Sequence, residues 1–288
     1  MRRRSKRALV NLAGTLNSRG GIEESERLMA QALEIAKASG DRALTALTLH
    51  GLSLSRYAHG EHEQALAIAS ESASLFAAIG DRRNEATCLV NISASQYHLG
   101  RLPEAIGALE KAIPIVREMG DRPVEMMALK NLTEMRFETG DISEARALNA
   151  RALALSRQMR STRNEAMILA SEADMERLTG DLDRATRLLE DASRIAAGVG
   201  DAYQRILLGI SRARLALARG EDAAGILATT RSDADAAGLE HHYARELDLV
   251  ESAIAAARDG RELFRGEEPE AIPEPLRRAL SRGAVEGG

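Results

Sequence analysis

The stretch Leu89–Ile113, LVNISASQYHLGRLPEAIGALEKAI, turns on Gly100, which divides two runs whose apolar residues have helical spacing. Working outward from Gly100, glycine recurs at 80, 60, 40 and 20 on one side and at 120, 140, 180, 200, 220 and 260 on the other. Eleven of the thirteen multiples of twenty between 20 and 260 are glycine, where 23 glycines scattered over 288 residues would place about one. Arg160 and Glu240 are the two exceptions. A fixed period of this kind is the mark of a repeat architecture and decides the fold before any single residue does.

The glycines read as helix ends, because the residue just past a helix C-terminus turns left-handed. The next residue is often a cap: Asp41, Asp81, Asp121, Asp141, Asp181 and Asp201. Asp141 with Glu144 matches a capping box. Helices alternate between two kinds, so the true repeat is 40. A helices precede Gly20, Gly60, Gly100 and their successors, and B helices follow them.

Small residues recur in register. Seven before the turn glycine stand Ala13, Ser53, Ser93, Thr133, Ala173, Ala213 and Ala253. Five after it come Ser25, Ala65, Ala105, Ala145, Ala185 and Gly225, and twelve after it Ala32, Ser72, Ala112, Ala152, Ala192 and Ser232. Small residues at fixed points let antiparallel helices approach closely, while larger ones such as Leu49, Leu89 and Leu129 fill the flanks.

This pattern resembles the tetratricopeptide repeat over about residues 6–260. Its length of 40 with a Gly-Asp joint resembles the variant of kinesin light chains, Pins-type adaptors and the sensory regions of MalT-like regulators. HEAT repeats share the length without the small-residue triplet. The resemblance implies an all-α right-handed superhelix of about six and a half repeats and thirteen helices. It would form one continuous solenoid over 1–260, with repeats at about 1–40, 41–80, 81–120, 121–160, 161–200 and 201–238 and a terminal helix at 239–259. The segment 261–288 is expected to be a flexible tail with room for a short helix at 274–282.

The pattern frays in places. Arg160-Ser161 replaces Gly-Asp, and an arginine is costly in a left-handed conformation, so a different turn is expected there, with Ser161 as cap. A core position held by Leu12, Leu52, Ile92 and Leu132 becomes Glu172, Arg212 and Ser252. The sixth B helix carries Thr229, Ser232, Asp233 and Asp235, so looser packing is expected. Pro114 should bend its helix or remove a hydrogen bond. The chain begins almost inside the first A helix, which suggests derivation from, or pairing with, a larger protein.

Composition narrows the function. Seven aromatic residues, with no Trp, are too few for the stacking platforms that hold single-stranded nucleic acid. A net charge of −4 builds no field for nucleic acid or anionic lipid, and the basic start from Arg2 to Arg7 reads as a solvated helix terminus or chain boundary. No apolar run is long enough to span a membrane, and no secretory signal follows Met1, so a cytoplasmic location is expected. Alanine- and arginine-rich usage fits a GC-rich bacterium. Cys88 reads as an inert core thiol. There is no Walker loop, dinucleotide fingerprint or HExxH, and His50, His59, His62, His98, His241 and His242 do not form a ligand set. No enzyme, cofactor or metal is expected.

What remains is a groove. The resemblance implies that A helices line a concave face. Nine before the turn glycine come Asn11, Gly51, Asn91, Asn131, Ser171, Ser211 and Glu251. In related arrays such an asparagine row hydrogen-bonds the backbone of an extended peptide, since an amide offers both donor and acceptor. The same residues could instead link neighbouring A helices. Three before the glycine stand Asn17, Tyr57, Tyr97, Phe137, Arg177, Leu217 and Ala257, where ring packing between repeats and ligand contact both fit. Repeats two and three present a nearly neutral groove with His50, Tyr57, Asn91, Tyr97 and His98; repeats four and five add Lys130, Glu134, Glu138, Asp174 and Arg177. The Lys/Asn clamp for a C-terminal carboxylate is not reproduced. The expected groove residues are therefore Asn11, His50, Tyr57, Asn91, Tyr97, Lys130, Asn131, Glu134 and Phe137. The expected function is a non-enzymatic scaffold for a protein or peptide partner, with a sensor region of a MalT-like regulator or signalling ATPase as the alternative.

Overall fold

The structure is a computed structural model that describes residues 22–198, 201–261, 263, 272–274, 276 and 277. Among the described residues there are twelve α-helices and no strand. In chain order they are α1 (Ile22–Ala38), α2 (Arg42–Ala58), α3 (His62–Ala78), α4 (Arg82–His98), α5 (Leu102–Glu118) and α6 (Arg122–Glu138), followed by α7 (Ile142–Gln158), α8 (Thr162–Thr179), α9 (Leu182–Ala196), α10 (Ala202–Arg219), α11 (Ala223–Ala236) and α12 (Glu240–Arg258). The expected first A helix, Asn11 and the basic start lie outside the described residues. The chain divides into two compact units, Met1–Asn131 and Leu132–Gly288, the division falling within α6.

Three-residue joints connect most successive helices, so neighbours that pack together must run antiparallel. In the first unit α1 packs on α2, α2 on α3, α3 on α4 and α4 on α5. In the second, each helix from α7 to α12 packs on the next. A helices also touch one another: α2 meets α4, α8 meets α10, and α10 meets α12. The small rows sit at these contacts. Ala65, Ala105, Ala145 and Ala185 are buried, as are Ala32, Ser72, Ala112, Ala152 and Ala192.

The joints are Schellman turns. Gly60 has φ +75°; its N–H donates to the Tyr57 carbonyl at 3.0 Å, and Glu61 N–H donates to the Arg56 carbonyl at 3.0 Å. The turn expected to differ at Arg160 does not. Arg160 adopts φ +52°, with its N–H on the Arg157 carbonyl at 3.0 Å and Ser161 N–H on the Ser156 carbonyl at 2.9 Å. The repeat's packing holds the turn, and the arginine bears the strain.

Caps form at Asp41, Asp81, Asp121, Asp181 and Asp201, each accepting from a backbone N–H of the next helix. The capping box at Asp141 and Glu144 is not formed. The Arg136 guanidinium lies between them, 3.3 Å from Asp141 Oδ2 and 3.1 Å from Glu144 Oε2, and outcompetes the backbone for both carboxylates. Ser161 makes no side-chain cap either; its hydroxyl accepts from Asn164 Nδ2 at 2.8 Å. The helix α5 runs through Pro114 to Glu118.

The sixth B helix departs in register. Gly225 and Ser232 were expected on the packing face, yet α11 buries Ala223, Leu227, Thr230 and Ala234. Those match Ala185, Leu189, Ala192 and Ala196 of α9 with a slip of two residues. The slip also moves the next left-handed turn to Gly238, φ +67°, and accounts for Glu240 in the glycine series. Packing is open there. Two concavities, of about 480 and 460 Å3, lie among α9, α10 and α11, lined by Arg212, Thr229 and Asp233 among others. Glu172, by contrast, is accommodated: Arg184 Nη2 donates to it at 2.7 Å and Asn149 Nδ2 at 3.3 Å.

Candidate functional site

A concavity of about 310 Å3 lies wholly within the first unit. Helix α2 supplies Leu54 and Tyr57 to it, α4 supplies Asn91, and the first half of α6 supplies Met127, Lys130 and Asn131. Its floor is set by the small residues Ser53, Ala65, Ala69, Ala94 and Ser95, which leave room between the larger side chains. Four of the expected groove residues thus converge: Tyr57, Asn91, Lys130 and Asn131. Leu54 and Met127 are each 39% exposed, and they make the mouth apolar. Neither stood out in the sequence rows. Leu54 lies six before Gly60, where the other repeats vary freely between Ala94, Glu134 and Asp174. An apolar residue at a variable position was the available signal.

His50 stands behind the wall rather than in the concavity. Its Nδ1 is 3.5 Å from Asn91 Nδ2 and 3.5 Å from Cys88 Sγ. Burial pulls the His50 pKa below its ordinary value, which keeps the ring neutral near pH 7. Burial pushes the Cys88 thiol up to about 11, opposed by a contact with Ser72. Gly51 interrupts the asparagine row because Met29 fills the place of its side chain: a Cβ there would stand 2.7 Å from Met29 Sδ.

Tyr57 is fixed by histidines. Its hydroxyl lies 2.9 Å from His98 Nε2. Its ring meets the edges of His62 and His98, at 5.3 and 5.4 Å between centroids, while those two imidazoles stack at 4.5 Å. Tyr97 packs its edge against His98 at 5.6 Å and does not line the concavity. His62 has a buried Nδ1 without a hydrogen-bond partner. Among the described residues, no group of three His, Cys, Asp or Glu is placed to hold a metal ion, and no helix is long and apolar enough to cross a membrane.

The remaining expected residues belong to the second unit. Glu134 is exposed. Phe137 is only 8% exposed and packs with Ala145, Met175, Ile272 and Leu276. Asp174 and the buried Arg177 pair with each other at 3.3 Å. Ser211, in the asparagine register, donates to Asp174 Oδ2 at 2.7 Å, so in α10 that position links two A helices.

The sequence matches the tetratricopeptide-repeat family model over residues 6–78, 60–118 and 84–158, an unbroken span of more than half the chain. No curated protein sequence matches it. Among solved structures, the apo form of RapI superposes with a TM-score of 0.75 at 13% identity, covering 98% of this chain and 100% of that one. The Rap conjugation-gene regulator of plasmid pLS20, in complex with a Phr peptide, superposes at 0.63 with 11% identity, covering 97% and 96%. A signal-transduction ATPase of the STAND class with a tetratricopeptide-repeat sensor, from Pyrococcus horikoshii, superposes at 0.62 with 17% identity over 88% of this chain and 38% of that one. With its helix pairs, its small-residue contacts and its left-handed turns every twenty residues, the chain belongs to the tetratricopeptide-repeat family.

Proposed function

We propose that this protein is a non-enzymatic scaffold that holds a segment of a protein or peptide partner against its A helices, with the first-unit concavity as the principal contact. The convergence of Tyr57, Asn91, Lys130 and Asn131 around one opening carries this reading. The two amides offer donors and acceptors to a peptide backbone, which suits an extended segment regardless of its side chains. Lys130 favours an acidic group on the ligand, and exposed Leu54 and Met127 supply apolar contact. A sulfur side chain at such a mouth adapts to ligand shape. The similarity to a Rap regulator solved with a Phr peptide supports a peptide as ligand.

The second reading is a sensor region of a larger regulator, favoured by the similarity to the repeat sensor of the Pyrococcus ATPase. Both readings use the same concavity. The test is selection of a displayed random peptide library on the full chain, repeated with Asn91→Ala/Asn131→Ala. Peptides enriched on the native chain and lost on the variant, at unchanged melting temperature, support backbone capture. If the variant melts lower and still enriches the same peptides, the amides are structural and the reading fails.

A further inference from the structure

The C-terminal segment returns to the body of the second unit. Ile272 and Leu276 are 4% and 2% exposed, and both enter one apolar cluster with Phe137, Ala145 and Met175. Ile142 and Leu178 close its edge. The receiving side chains come from the end of α6, the start of α7 and the end of α8, all within five residues of Gly140 or Gly180. The segment therefore skips the four helices that precede it in the chain and seats on two earlier repeats.

Its own construction is that of a small amphipathic ligand. Arg277 N–H donates to the Pro273 carbonyl at 2.9 Å, closing one helical turn. Ile272 and Leu276, four apart, face the cluster. Glu274 and Arg277 form a local ion pair at 2.5 Å, and Pro273 and Glu274 are exposed. Two aliphatic side chains anchor it against the entropy of ordering the chain, which makes a displaceable contact rather than a permanent one. The segment is covalently joined to α12, which ends at Arg258, and this connection raises its effective concentration at the patch.

We propose that segment 272–277 is an intramolecular occupant of a helix-docking patch formed by Phe137, Met175 and Leu178. The partner that takes this patch presents an amphipathic helix with aliphatic side chains four residues apart, and it binds when the tail leaves. The patch lies in the second unit and is independent of the peptide reading given to the first.

The test uses the full chain and a fluorescent synthetic peptide with the sequence of residues 268–282. In Ile272→Asp/Leu276→Asp the tail carries two charges where the cluster needs aliphatic groups, so the patch is vacated. This variant should bind the peptide at least about tenfold more tightly than the native chain, whose tethered tail competes. Adding Leu178→Asp should remove binding, and a peptide with the two aspartates should not bind. Three results overturn the proposal: no peptide binding by a vacated chain whose helical circular dichroism is intact, equal binding by the native and vacated chains, or loss of helix in the vacated chain. The last would make the segment part of the fold itself.

Discussion

Gly209 faces Thr230 so closely that a Cβ on residue 209 would stand 2.3 Å from Thr230 Oγ1 and 2.8 Å from its Cγ2. The threonine cannot swing away freely, since its hydroxyl donates to the Ile226 carbonyl at 2.8 Å. Earlier repeats reverse the pair: leucine on the A helix, as at Leu169, and a small residue on the B helix, as at Ala192. The two-residue slip of α11 brings Thr230 into the small-residue place, and Gly209 makes the space. Gly209→Ala should therefore destabilise the chain by about 1–3 kcal/mol through overpacking. Gly209→Ala with Thr230→Ala should recover most of that loss. A double-mutant cycle in urea checks it, and additive effects would show that the two residues do not share one space.

Arg160 sits at φ +52° in a turn that, among the described residues, nine glycines of the series and Gly238 otherwise occupy. A side chain in that conformation costs roughly 1–2 kcal/mol, partly offset in glycine by the extra freedom of the unfolded chain. Arg160→Gly should stabilise the protein by about 1 kcal/mol and raise the melting temperature. A variant that melts at or below the native temperature would mean that the arginine side chain makes contacts worth more than the strain.

The residues legible in the sequence are those whose backbone demands a particular type. Glycines at left-handed turns marked the helix ends, and buried Ala65, Ala105 and Ala112 marked the contacts. Tyr57, Asn91 and Asn131 were legible as site candidates because a 40-residue period stacks equal positions on one face. Leu54 and Met127 were not, because their positions carry no constraint and only the assembled surface exposes them together. The slip at α11 is invisible in the twenty-residue glycine series: Gly220 still ends its helix in that series, and the shift arises inside the next turn. Ile272 and Leu276 lie beyond the repeats, and no local spacing says which of many apolar patches an isolated pair will cover. The failed capping box at Asp141 has the same origin, a competitor, Arg136, brought in by the fold.

Cys88 is wholly buried, with Ser72 Oγ at 3.4 Å and His50 Nδ1 at 3.5 Å. Its nearness to a histidine resembles an activated thiol, yet burial outweighs that contact and raises the pKa to about 11. At about pH 8, roughly one thiol in a thousand would be ionised, and the thiolate is the reactive form. The native protein should react with Ellman's reagent only at the rate of opening, and at once in concentrated guanidinium chloride. Rapid stoichiometric reaction of the folded chain would contradict an inert core thiol and point to an accessible thiolate beside His50.

The same burial gives His50 a pH dependence of known sign. Its folded-state pKa lies below the ordinary 6.5 because desolvation disfavours the charged ring. Above about 6.5 both folded and unfolded chains hold it neutral, and its contribution to stability is fully present. As the pH falls below that value the unfolded chain takes up the proton first, so stability declines until the folded state's own lower pKa is passed. His50→Gln removes this ionisation while keeping a polar group near Asn91 and Cys88. Other titrating groups act on both proteins alike, so the informative quantity is the difference in unfolding free energy, native minus variant. It should be level from about pH 7 to 8 and decline as the pH drops below about 6.5. Because Asn91 Nδ2 lies 3.5 Å from the ring, protonation would also press a charge against the wall of the concavity. Peptide capture should then weaken with acid in the native chain and less so in His50→Gln. A level difference across the whole range would show that His50 is solvated and that burial leaves its ionisation alone.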